Sequence, residues 1–173
     1  RDIAPADSCV YGDTRVAPAF ALWGDSHGVE ISYMLGEVAA RNHQALAQFT
    51  SSSCPPALNY SPVTRPRCSE RNSAVLDYIL SRPEIHTVFL AARYLSDAHR
   101  LQPTFLAGLA LSAQRLAAAG KRVVIIGPTP TQSFNVSSRL ALATLRGKPA
   151  DVRGKVTAEF RDQNRGAMAT ISA

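Results

Sequence analysis

The sequence predicts an α/β fold, a three-layer α/β/α sandwich around a mostly parallel sheet. Three observations carry this. Four short apolar runs of strand length recur, at 19–23, 45–50, 87–92 and 122–127. Between and after them lie stretches whose apolar residues return at helical spacing. Finally, Thr87-Val88-Phe89-Leu90-Ala91-Ala92 is apolar at nearly every position rather than alternating, as in a strand covered on both faces. Such alternation favours parallel strands joined by right-handed crossovers, with function gathered beyond the strand C-termini.

Taken in order, residues 1–17 show little periodicity and read as an irregular lead-in. The first strand covers Ala19 to Trp23. A helix from His27 to Arg41 follows, with Ile31, Met34, Leu35, Val38 and Ala39 as its expected buried stripe and Asp25 or Ser26 as N-cap. Ala45 to Thr50 is the second strand, ended by Ser51-Ser52-Ser53-Cys54-Pro55-Pro56. A helix from Ser69 to Ser81 buries Val75, Leu76, Ile79 and Leu80, and Pro83 stops it. The third strand, Thr87 to Ala92, leads into Arg93 and Tyr94. A helix from Pro103 to Ala119 turns its Leu106, Leu109, Ala113, Leu116 and Ala117 inward, and Gly120 is its C-cap signal. The fourth strand, Arg122 to Gly127, runs into Pro128 and Pro130. Two weaker helices are expected at 137–146 and 155–171.

At 173 residues the chain is read as a single domain, 1–173, able to build a core without metals or many disulfides. No apolar run approaches membrane-spanning length. The first residues, Arg1-Asp2-Ile3-Ala4-Pro5, are not a signal peptide, so the reading is an excised domain or a processed chain. The net charge is +6, but the basic residues are scattered and not interleaved with aromatics, which argues against nucleic acid as partner. Cys54 and Cys68 flank a Pro- and Ser-rich loop without a core of its own. A disulfide between them would stabilise by about 3 kcal/mol and implies an oxidising compartment. Three separate thiols are the competing reading. Cys9 is left over, and its partner is expected outside the chain. The spacing suits no zinc site, and nothing calls for a cofactor.

The chemistry centres on Phe20-Ala21-Leu22-Trp23-Gly24-Asp25-Ser26-His27-Gly28. A buried strand runs through Gly24 and Asp25 into Ser26, and a helix starts there. A serine so placed stands at the sheet's C-terminal edge and at the positive end of a helix, which favours an exposed nucleophile and the anion formed when it attacks an acyl carbon. The glycine spacing fits neither a P-loop nor a dinucleotide fingerprint. A plain N-cap serine is the alternative.

Trp23-Gly24-Asp25-Ser26-His27 after a first strand resembles block I of the SGNH hydrolase superfamily. Cys9-Val10-Tyr11-Gly12-Asp13, Ser53-Cys54-Pro55-Pro56 and Val88-Phe89-Leu90-Ala91-Ala92-Arg93 are similar to stretches in one branch. That branch is the periplasmic SGNH domain fused to membrane acyltransferases that acetylate O-antigen and other polysaccharides. The resemblance implies an SGNH, flavodoxin-like sheet and Ser26 as nucleophile. An acetyl group would pass through an acyl-serine to a sugar hydroxyl or to water. It also implies a periplasmic location, a membrane acyltransferase domain as partner and a polysaccharide acceptor.

Two departures stand out. Neither the block II glycine nor the block III Gly-x-Asn-Asp is found, so the oxyanion-hole candidates are the Ser26 and Ser53 N–H groups and Arg93. The superfamily's C-terminal Asp-x-x-His is not found in 159–165 either. That segment is expected beyond Ala173; failing that, Asp97 and His99 are the internal base candidates. His27 reads as a packing or hydrogen-bonding residue at the helix start, and His43 and His86 as structural residues at the opposite edge. A non-catalytic glycan-binding or acetyl-relay module is the second function consistent with these residues.

Overall fold

The computed structural model describes residues 3–94, 103–130, 134–148 and 156–172. Five strands form one sheet: β1 (Val10–Gly12), β2 (Phe20–Gly24), β3 (Ala45–Thr50), β4 (Thr87–Ala91) and β5 (Arg122–Ile126). Six helices accompany them: α1 (Ser26–Arg41), α2 (Cys68–Leu80), α3 (Pro103–Ala118), α4 (Val136–Leu145), α5 (Thr157–Gln163) and α6 (Arg165–Ser172). The strand order is β1-β3-β2-β4-β5. β3, β2, β4 and β5 are mutually parallel, with Gly24 opposite both Thr50 and Ala91. The four C-terminal ends therefore share one edge. Because β2 is followed by β3 on one side and β4 on the other, the strand order reverses between β2 and β4. That is where α/β sheets of this kind open a crevice.

Alternation along β2 divides the core. Ala21 and Trp23 point to one face, with Ala47, Phe49, Val88 and Leu90, and pack against Val75, Leu76 and Ile79 of α2 and Phe105, Leu109 and Leu116 of α3. Leu22 points to the other face with Leu46 and Ala91, under Ile31 and Leu35 of α1. The sheet is thus the middle of three layers.

Four expectations need correction. The lead-in holds β1, which pairs antiparallel with β3 through Val10–Ala47 and Gly12–Ala45. The expected C-terminal helix is two helices, broken at Asn164, whose buried side chain donates back to the Phe160 carbonyl at 2.9 Å. On α1 the buried positions are Gly28, Ser32, Gly36 and Ala39, whereas Met34 and Val38 are 57% and 51% exposed. The cause is how closely α1 lies on the sheet. A Cβ on Gly28 would come within 2.6 Å of the Leu22 side chain, and one on Gly36 within 2.5 Å of Tyr11 Cβ. Small residues line the contact because larger ones do not fit. On α3, similarly, Ala117 is exposed rather than inward.

Cys54 and Cys68 are disulfide-bonded, with Cα atoms 5.5 Å apart, and Cys9 is free and exposed. Among the described residues no helix is long and apolar enough to cross a membrane.

Candidate active site

Ser26 is the first residue of α1, directly beyond the end of β2, and it is exposed. As the N1 residue its N–H has no partner within the helix. The turn from strand to helix is tight. Gly24 lies so near β4 that a Cβ there would meet the Ala91 carbonyl oxygen at 2.5 Å. Glycine at 24 lets the two strand ends touch, and Ser26 emerges at the lip they form.

Asp25 is the N-cap, and its carboxylate is 2% exposed. One oxygen accepts the His27 N–H at 2.8 Å; the other accepts the Arg93 N–H, from beyond β4, at 2.7 Å. The Asp25 N–H itself donates to the Ala91 carbonyl at 3.3 Å. Asp25 therefore locks the start of α1 to the loop after β4. One consequence narrows the oxyanion-hole candidates. The backbone N–H of Arg93 is already engaged, so Arg93 can contribute only its exposed guanidinium.

Ser53 lies in the turn after β3. The Cys54 N–H donates to the Ser51 carbonyl at 3.1 Å, and Ser53 itself has φ +54°. This is a conformation that glycine adopts at little cost and L side chains avoid. The chain thus takes at Ser53 a backbone shape for which glycine would be the ordinary choice. The turn is tied down: Ser51 N–H donates to the Gly24 carbonyl at 3.1 Å, and Arg65 donates to Ser51 Oγ at 2.8 Å. Ser53 and Ser26 thus flank the joined ends of β3 and β2.

His27 is on the same edge. Its side chain is 35% exposed, and its Nδ1 lies 3.6 Å from an Asp25 oxygen. His86 is on the opposite edge, bonded through Nδ1 to Thr87 Oγ1 at 3.0 Å and edge-on to Phe20; His43 faces Asp13 there. Asp97 and His99 lie outside the described residues.

Two residues that sequence reasoning did not single out support the crevice. Tyr94, next to Arg93, is buried and donates its hydroxyl to the Ile126 carbonyl at 2.9 Å, joining the loop after β4 to the end of β5. Burial, with the charge of Asp25 second, pushes its phenol well above the usual range. Asn72 of α2, 1% exposed, accepts the Trp23 indole N–H at 3.0 Å and donates to the Pro55 and Ala57 carbonyls at 2.8 and 3.0 Å. It binds β2 to the loop that carries Cys54. No local sequence signal marks either residue; both work through non-local partners.

A parallel sheet in flavodoxin-like order, with an exposed serine at the reversal point and an N-cap aspartate behind it, defines an SGNH-like α/β domain. The family description "SGNH domain (fused to AT3 domains)" matches residues 1–173, and the chain belongs to that family. In fold it is similar to the periplasmic domain of a lipopolysaccharide acetyltransferase from Salmonella ser. Paratyphi A, with a TM-score of 0.67 and 15% sequence identity. That similarity covers 90% of this chain and 64% of the other, so the chain spans a little under two thirds of its neighbour. No curated protein sequence matches it significantly.

Proposed function

We propose that the domain transfers an acyl group, acetyl in the simplest case, through a covalent ester on Ser26. The acceptor is a hydroxyl of a cell-envelope polysaccharide such as O-antigen, or water. The reading places the domain in the periplasm, beside the AT3 acyltransferase domain to which its family is fused. The observation that carries it is the exposed Ser26 at the point where strand order reverses.

The chemistry follows from that position. The Ser26 oxygen attacks the acyl carbonyl, and its proton passes to a base. Negative charge develops on the former carbonyl oxygen, where the N–H groups of Ser26 and Ser53 and the positive end of α1 favour it. Arg93 is the charged third donor in this scheme. Expulsion of the donor's leaving group gives the acyl-serine. An acceptor oxygen then attacks, gives up its proton and releases Ser26. Asp97 and His99 remain the proposed base candidates within the chain.

The test is ester turnover by the full-length protein. With p-nitrophenyl acetate, release of p-nitrophenolate and an acetylated Ser26 peptide are expected, and Ser26→Ala should abolish both. Turnover unchanged in Ser26→Ala would refute the serine mechanism and leave the glycan-binding module as the reading.

A further inference from the structure

His27 poses a problem that its surroundings resolve. Its Nδ1 is buried without a hydrogen-bond partner, although a third of the side chain reaches solvent. An Asp25 carboxylate oxygen lies 3.6 Å from Nδ1. A lone pair on Nδ1 would face that carboxylate and be repelled; an N–H there is attracted. Attraction to that carboxylate favours the neutral tautomer that carries its proton on Nδ1, and in that tautomer Nε2 is the acceptor. With Nδ1 turned inward, the solvent-facing edge of the ring is the one that carries Nε2.

Ser26 and His27 are consecutive on the first turn of α1, so their side chains diverge by about 100°. The ring stands beside the serine rather than over it. That is a poor position for removing the proton of Ser26 and a good one for holding a second molecule next to it. We propose that Nε2 of His27 accepts a hydrogen bond from a hydroxyl of the acyl acceptor, a polyhydroxyl sugar, and orients it toward the acyl-serine. The proposal rests on the serine reading above and assigns His27 to the second half-reaction only.

Glutamine and asparagine separate this role from a structural one. The amide of Gln reaches the Nε2 position of histidine, whereas that of Asn reaches only Nδ1. In the full-length protein, p-nitrophenyl acetate loads the serine, and methyl glucoside competes with water for the acetyl group. His27→Phe should leave the p-nitrophenolate burst nearly unchanged. It should lower transfer to the glucoside about tenfold, with a raised KM for the sugar, as expected for one lost hydrogen bond to an acceptor. His27→Gln should retain most of the transfer, and His27→Asn should behave like His27→Phe. Unchanged transfer in His27→Phe would overturn the proposal. So would Asn outperforming Gln, since that order marks a residue needed only for its contact with Asp25. A wild-type burst with these outcomes refutes the role of His27 alone. Absence of any Ser26-dependent burst refutes the serine reading itself, and this role with it.

Discussion

The Asp25 carboxylate accepts the backbone N–H of Arg93 at 2.7 Å, across 68 residues of sequence, while its other oxygen caps α1 through the His27 N–H. One buried side chain thus fixes both the helix that presents Ser26 and the loop that presents Arg93. Asp25→Ala would strand two backbone donors. Hydrogen bonds to a charged acceptor contribute about 1.5–3 kcal/mol each, so a loss of about 3 kcal/mol is expected, with Asp25→Asn losing roughly half by keeping one acceptor. Urea unfolding measures this. Amide exchange at Arg93 should quicken in both variants, and an Arg93 amide as protected in Asp25→Ala as in the wild type would show that the loop does not depend on Asp25.

Asn72 makes an analogous link on the other face. Its side chain satisfies the Trp23 indole and two loop carbonyls, in a site only 1% exposed. Asn72→Ala takes the partner from the Trp23 indole N–H and the Ala57 carbonyl, at about 1–3 kcal/mol each before relaxation, while the Pro55 carbonyl keeps the Ala57 N–H at 2.8 Å. A loss of at least about 2 kcal/mol is expected by denaturant unfolding. The Trp23 fluorescence should also change in the folded state, because its indole N–H loses its acceptor. A variant of wild-type stability would mean that water replaces the amide.

How much of this was legible in the sequence depends on the range of the interactions. Ser26 could be placed because a buried strand, Gly24 and an amphipathic helix are all local signals, and the bounds of β3 were read correctly as Ala45–Thr50. β1 could not be read. Three residues show no period, and Val10–Gly12 is a strand only because β3 lies beside it. The buried face of α1 departs from its hydrophobic pattern for a different reason. Hydrophobicity points to Met34 and Val38, but the close approach of α1 to the sheet selects Gly28, Ser32 and Gly36. Asn72 and Tyr94 lie beyond any local pattern, since their partners are set by the tertiary fold.

Ser53 offers a test of which part of the residue matters. Its φ of +54° is unfavourable for an L side chain, and its proposed contribution is the backbone N–H. Ser53→Gly keeps that N–H and removes the steric cost. It should be as stable as the wild type or more so, by up to about 1 kcal/mol, and should retain the Ser26-dependent burst. Ser53→Ala keeps the cost and the N–H alike, so its burst should also survive. Loss of the burst in both variants would transfer the role to the hydroxyl and remove the backbone donor from the mechanism.

At the far edge of the sheet, Asp13 makes a prediction about acid. Its two oxygens accept from Arg15 Nε and Nη2, both at 2.8 Å, and the Arg15 backbone N–H adds a third contact at 3.2 Å. These hydrogen bonds, led by the guanidinium and aided by the charges of Arg15 and His43, lower the Asp13 carboxyl from 3.8 to about 2. A carboxyl whose folded value is depressed binds its proton more readily in the unfolded chain. Its contribution to stability is therefore fully present above the unfolded value, near 3.8, and is lost as pH falls through about 2. Carboxyl NMR should show Asp13 titrating near that lower value, and Arg15→Ala should return it toward the ordinary range. The stability gap between wild type and Arg15→Ala should accordingly be widest near neutral pH and shrink as the pH falls toward the lower value. A gap that stays constant through the acid range would mean that the pair acts through packing rather than through charge.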